Sequence, residues 1–168
     1  MPATYTLISS NVLTSSAASI TFSAIPATYT DLVLRASMRT STGTIVTQPD
    51  LTFNGVGGTS YSRTYLQGNG TAASSGRSSS TNSVVPYIMN GNTSTASTFS
   101  NAEIYIPNYT AAINKQISIF GVVENNGTAG MVDTEAGLFS NTAAITSITL
   151  TASFVSGCSF YLYGISNA

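Results

Sequence analysis

Apolar and polar residues alternate with a period of two along most of the chain. Ile20, Phe22 and Ala24 alternate with Thr21 and Ser23, and Leu32, Leu34, Ala36 and Met38 alternate with Val33, Arg35 and Ser37. Successive side chains of a strand point to opposite faces, so this spacing predicts two half-buried strands. Pro26 and Asp31 bracket the short connection between them, which suits neighbouring strands. Leu51 and Phe53 run into the turn dipeptide Asn54-Gly55, and Tyr61, Arg63 and Tyr65 alternate beyond it, a pattern that predicts a hairpin. Ala102, Ile104 and Ile106 predict a strand ending at Pro107, and Ile117, Ile119, Gly121 and Val123 another ending at Asn125-Asn126-Gly127. A last pair is predicted around Ile148, Leu150 and Ala152 and around Phe160, Leu162 and Gly164, the latter with Tyr161 and Tyr163 on its second face.

No stretch carries the i, i+3, i+4, i+7 apolar spacing of a helix for three turns, and β-branched residues are frequent throughout. Short strands separated by Gly, Asn, Pro and Ser, with no intervening helices, predict an all-β antiparallel β-sandwich with little or no helix. The chain of 168 residues fits a single domain, 1–168. Two segments break the alternation, Gly68 to Ser83 and Asn90 to Ser97, both poor in large apolar residues. The first is expected to be a flexible or partner-ordered loop at about 68–83, because unstructured connections beyond ~12–15 residues are uncommon in compact domains. Pro2-Ala3-Thr4-Tyr5-Thr6 recurs as Pro26-Ala27-Thr28-Tyr29-Thr30, but nothing else repeats at that offset, so no solenoid is predicted.

Composition narrows the partners. Charged residues make up 7% of the chain, against the ~25% usual in soluble domains, and Lys+Arg is 5 against Asp+Glu 6. Arg35, Arg39, Arg63, Arg77 and Lys115 are scattered. Neither a nucleic acid nor a membrane surface is an expected partner, since both are held by clustered cations. The N-terminal residues have no basic start and no sustained apolar run, so neither a signal peptide nor an anchor is predicted there.

Candidate chemistry is sparse. The absence of histidine excludes Ser/His/Asp and Cys/His devices, and Lys115, in Ile113-Asn114-Lys115-Gln116, reads as a solvated strand end. Cys158 has no second cysteine to pair with and reads as a small buried or half-buried thiol. Asp133 and Glu135 share one face of a predicted strand, close enough to affect each other's ionisation. They are the only candidates for glycoside hydrolysis or Ca²⁺ binding, against the simpler reading of a solvated polar face. Gly55-Val56-Gly57-Gly58 lacks a following helix and reads as a turn, not a phosphate loop. The sequons at Asn69, Asn92, Asn108 and Asn126 are expected by chance in so Asn/Ser/Thr-rich a chain. Of nine tyrosines, Tyr61, Tyr65, Tyr105, Tyr109, Tyr161 and Tyr163 lie on or beside predicted strands, mostly as half-buried sheet residues with a sugar-stacking platform as the functional option. No catalytic residue, metal ligand or cofactor site is assigned, and an enzyme is not expected.

Four phrases spread over most of the chain carry a family resemblance. They are Ile20 to Arg35 (ITFSAIPATYTDLVLR), Phe99 to Thr110 (FSNAEIYIPNYT), Ala144 to Leu150 (AITSITL) and Ser159 to Ile165 (SFYLYGI). In these the sequence resembles small jelly-roll-like virion structural proteins of tailed bacteriophages, especially cyanophages and marine phages. The resemblance implies a virion component made in the host cytoplasm. The expected function is a capsid decoration protein, a cement or knob bound to the outer capsid surface, with the major capsid protein and itself, as a homotrimer, for partners. The alternative is a receptor- or glycan-binding module of a tail fibre or spike, with another virion protein or a host surface glycan as partner. The stretch from Gly68 to Ser97 matches the family least, and no functional residue is carried over from it.

Overall fold

The computed structural model describes residues 4–86, 88–127 and 129–166, and among these no helix occurs. The strands are β1 (Tyr5–Val12), β2 (Ala17–Phe22), β3 (Asp31–Met38), β4 (Val46–Thr47), β5 (Asp50–Phe53), β6 (Tyr61–Gly68), β7 (Ala73–Thr81), β8 (Met89–Asn90), β9 (Ser100–Ile106), β10 (Lys115–Val123), β11 (Met131–Phe139), β12 (Ile148–Phe154) and β13 (Ser159–Ile165). They form an eight-stranded sheet in the order β1-β13-β3-β9-β10-β11-β6-β7, a three-stranded sheet β2-β12-β5 and a two-stranded ladder β4-β8. Every strand pair in the three sheets is antiparallel. The expected all-β sandwich is present, with an unequal division of strands between its sheets; jelly-roll connectivity stays an expectation of the resemblance.

Alternation builds the core directly. On β10, Ile117, Ile119, Gly121 and Val123 are buried while Gln116, Ser118 and Phe120 face solvent. The inward residues of both sheets, among them Ile20, Phe22, Leu34, Leu51, Phe53, Ile104, Leu150 and Leu162, belong to one hydrophobic cluster. At one end Phe139 stacks on Tyr61 at 5.0 Å and lies 5.5 Å from Phe53; at the other Phe154 meets Phe160 edge-on at 5.1 Å. Such offset and edge-on contacts add to area burial in fixing ring positions.

The pairing of strands departs from the sequence expectation in three places. β2 and β3 are not neighbours: β2 pairs with β12, and β3 lies between β13 and β9 in the other sheet. The connection between them crosses the sandwich, turning at Ala24 (φ 53°) and tied by the Ile25 N–H to the Thr146 carbonyl at 3.1 Å. Strands that each have one apolar face can meet face to face across a core as readily as side by side.

The second departure concerns β5 and β6. The Asn54-Gly55 turn forms, with both residues at positive φ, but β5 pairs with β12, and β6 with β11 and β7. No hairpin results. The Tyr61 hydroxyl links the two segments instead, accepting from the Phe53 N–H at 2.9 Å and donating to the Val56 carbonyl at 2.9 Å. That phenol is pushed above its ordinary pKa by burial, with the Phe53 hydrogen bond opposing.

Third, most of 68–83 is strand and not loop. Residues 73–81 form β7, paired with β6 from Gly68↔Ala73 to Tyr61↔Thr81. Serine and glycine hide little apolar surface, which is why the segment reads as loop, yet at a sheet edge only the backbone pairing is required of it. Asn69 closes the β6–β7 turn by accepting from the Thr71 and Ala72 N–H groups at 3.0 and 2.8 Å. On the inner face the Tyr65 ring lies against Gly76, where a Cβ would fall 2.6 Å from the hydroxyl.

The three-stranded sheet covers only part of the large sheet's inner face. Over β10, β11 and β6 the cover comes from Ile88, Val84 and Val85, which precede β8. Val84 pairs with Leu51 (N–H to carbonyl 3.1 Å, and 2.8 Å in return), its side chain stands over Gly137, and Ile88 fills the space where a Gly121 side chain would be.

Candidate docking surface

The few charged groups of this chain mostly point inward. Asp133 and Glu135 are 0% and 3% exposed, which corrects the expectation of a solvated polar face. They share phase with Gly137 and Phe139 on the inner face of β11, and β6 places Arg63 beside them. Arg63 Nη1 donates to Glu135 Oε1 at 2.7 Å and also to the Val85 carbonyl, and the guanidinium lies 5.0 Å from the Tyr65 ring centre. Glu135 is pushed up to about 8: burial is the largest cause, Arg63 opposes it, and Asp133 adds to it by charge and a shared hydrogen bond. The cluster is therefore enclosed, and an external substrate has no access to its carboxylates. Among the described residues no group of three or more His, Cys, Asp or Glu could hold a metal ion.

Lys115 is also buried, not solvated. Its Nζ donates to the carbonyls of Ala111 and Ile113 at 2.8 and 2.6 Å and reaches those of Asn141 and Thr142 at 3.4 Å, so it ties two loops at the start of β10. Burial lowers its pKa. Cys158 is buried as expected, donating to the Arg39 carbonyl and accepting the Arg39 N–H, both at 3.3 Å; burial raises the thiol pKa, with backbone hydrogen bonding at Arg39 and Val155 opposing. The Arg39 side chain reaches into the 91–99 segment, donating to the carbonyls of Asn92, Ser94, Thr95 and Thr98 at 2.8–3.3 Å. The polar stretch Asn90 to Ser97 is thus held by a guanidinium in place of an apolar core of its own.

The tyrosines divide. Tyr61 and Tyr109 are fully buried. Tyr109 donates to the Pro26 carbonyl, and burial is the main cause of its raised pKa. Tyr105 donates to Asp31 Oδ2 at 2.8 Å, and that bond is the first cause of its raised pKa. Tyr161 and Tyr163 are half-buried on the outer face of the large sheet.

That outer face carries the features suited to contact with another molecule. The register aligns Leu66, Thr134, Phe120, Glu103, Arg35 and Tyr161 in one row across six strands. Val132 and Val122 are paired in a neighbouring row. Leu66, Phe120 and Val132 are 56%, 55% and 52% exposed and surround Thr134, forming an apolar patch towards the β7 side. Beside Phe120 and Val122 lies a depression of about 300 Å³, walled by Asn101 and the exposed ion pair Arg35–Glu103 at 2.9 Å. Past the ion pair, Arg35 lies 5.8 Å from the Tyr5 ring, which meets Tyr163 edge-on at 6.3 Å; Tyr5 and Leu7 are about half exposed. Phe120, Leu66 and Val132 escape a reading focused on the core, although their place follows from phase: if Ile119 and Gly121 point in, Phe120 points out.

No protein-family model, curated protein or solved structure matches the chain.

Proposed function

We propose that the protein is a structural component of a phage particle, a decoration protein that docks on the outer capsid surface as a homotrimer and reinforces the shell. The observation that carries this reading is the group of exposed apolar side chains Leu66, Phe120 and Val132 on the outer face of the large sheet. Exposed apolar side chains gathered on one face mark contact sites, whereas isolated ones do not. The resemblance of the four sequence phrases to virion structural proteins supports the location. A ligand that binds only the assembled lattice stabilises it by mass action, without any chemical step. The reading is therefore structural, not catalytic.

Two measurements test it. Quantitative proteomics of purified particles should find the protein in numbers that match the capsid lattice; a handful of copies per particle would move it to the tail. The double variant Phe120→Ser/Val132→Ser should keep its fold, because both side chains are already about half exposed, yet fail to bind undecorated shells in a sedimentation assay. Undiminished binding would remove this face from the docking surface.

A glycan-binding module is the second reading, favoured by the exposed Tyr5 ring set against Tyr163 and Arg35. Aromatic faces stack on sugars, and a clear glycan-array signal lost in Tyr5→Ala would support it.

A further inference from the structure

One dipeptide recurs through the chain and has no part in the docking face. Asn-Gly stands at Asn54-Gly55, Asn69-Gly70, Asn90-Gly91 and Asn126-Gly127. Asparagine before glycine is chemically labile, because the glycine nitrogen can close on the carboxamide carbon and no Cβ crowds its approach. The step needs a carboxamide free to swing towards the following N–H, and in this the sites differ.

Three of them are locked. Asn54 Oδ1 accepts the N–H groups of Thr146 and Ser147 at 2.8 and 3.1 Å and the Thr146 hydroxyl at 3.3 Å, while its Nδ2 donates to the Ala144 carbonyl at 2.8 Å. Asn69 Oδ1 is held by the Thr71 N–H and hydroxyl and the Ala72 N–H, all at 2.8–3.0 Å. Asn90 is fully buried and its Nδ2 donates to the Thr98 hydroxyl at 3.0 Å. The nitrogen that would attack there is occupied as well, since the Gly91 N–H donates to the Ile45 carbonyl at 2.8 Å.

Asn126 is different. The buried Asn125 donates through Nδ2 to the Ala129 carbonyl at 2.6 Å, and Glu124 Oε1 accepts the N–H groups of Asn125 and Asn126, both at 2.9 Å. These bonds fasten the chain before and after the dipeptide and leave Asn126 and Gly127 exposed, Asn126 with φ 51°. Among the described residues nothing bonds to the Asn126 carboxamide or to the Gly127 N–H.

We propose that Asn126 is a site of spontaneous covalent modification, converted in the folded protein to aspartate and isoaspartate through a succinimide with Gly127. The Gly127 nitrogen attacks Asn126 Cγ, a C–N bond forms, the Cγ–Nδ2 bond breaks, and the displaced nitrogen leaves as ammonia with the proton given up by the Gly127 N–H. Water then opens the ring at either carbonyl and restores a carboxylate, with the chain running through the α-carbonyl or through the side chain. Asparagine and water are consumed, ammonia is released, and nothing is oxidised or reduced. The product adds a negative charge to a chain whose formal net charge is −1. That charge appears two residues from Glu124, which lines a depression with Val122, Met131 and Val132. The reaction itself does not depend on the docking role of that face.

Peptide mapping by mass spectrometry tests the proposal. The full-length protein is aged at mildly alkaline pH, folded or in urea, and digested in acid to stop further reaction, with aspartyl and isoaspartyl peptides separated. In the folded protein Asn126 should convert, and Asn54, Asn69 and Asn90 should do so at least about tenfold more slowly, because each must first open its hydrogen bonds. In urea the four rates should converge. An intact Asn126 after an interval that converts the urea-treated chain overturns the proposal, as does conversion of any other Asn-Gly at the rate of Asn126 in the folded protein. A rate order that persists in urea assigns the difference to local sequence and overturns it equally. Asn126→Gly removes the carboxamide and suits the positive φ, so this variant should keep its fold and lose the isoaspartate formed on ageing. Isoaspartate undiminished in that variant places the reaction elsewhere and rejects the site.

Discussion

At the scale of the residue, Arg39 shows how a polar segment can be fixed without apolar burial. It follows the last residue of β3, and its guanidinium donates to four carbonyls and one hydroxyl of the 91–99 segment. Bonds from a charged donor are worth about 1.5–3 kcal/mol each but are not additive, so Arg39→Ala should cost about 3 kcal/mol. Urea denaturation would measure the loss, and limited proteolysis should cut first within 91–99. A variant that unfolds at the same urea concentration as the unmodified protein would show that the segment holds itself. The positions of Arg39, Lys115, Asp133 and Glu135 were only partly legible in the sequence. Period two put Asp133 and Glu135 on one face of a strand, but which face is buried was not readable there, and their partner Arg63 stands 72 residues before Glu135 on another strand. Without that partner in view, a solvated face is the natural expectation for two carboxylates.

At the scale of the element, the strands that alternate large apolar with polar residues were readable, whereas their pairing was not. β3, β9, β10, β12 and β13 follow from period two alone. Which strand lies beside which depends on face-to-face packing between distant segments, and no local turn fixes it for β2 and β3 or for β5 and β6. β7 was missed for the opposite reason: its strand character comes from backbone pairing with β6 and leaves no apolar periodicity. This strand allows a direct test. In an antiparallel edge strand, alternate N–H groups bond to the neighbour and the others face solvent. Residue-resolved hydrogen exchange should therefore alternate between slow and fast along 73–79, while β10, paired on both sides by β9 and β11, should be slow over the residues that face both partners. Uniformly fast exchange through 73–79 would return the segment to the loop expected from composition.

At the scale of the whole molecule, the scarcity of charge determines how the protein can meet a partner. The formal net charge is −1, and of the two ion pairs among the described residues one, Arg63–Glu135, is enclosed. Only Arg35–Glu103 stands on the outer face, and an exposed pair of that kind contributes little and is screened further by salt. Long-range steering is thus weak, and a complex formed by this face draws on apolar burial at Leu66, Phe120 and Val132 and on uncharged hydrogen bonds. Apolar burial does not weaken as the screening length shrinks, and strongly hydrated salts increase it. Attachment to particles should accordingly change by less than about threefold between roughly 0.05 M and 1 M NaCl, a range over which the Debye length falls from more than about 10 Å to about 3 Å. Sulfate at equal ionic strength should tighten it. Sedimentation of particles with the bound protein, quantified across the salt series, reads both effects. Release by more than about tenfold at high NaCl would mean that charge on the partner, meeting Arg35, Arg77 or Glu103, carries the attachment, and the apolar patch would then lose its place as the contact.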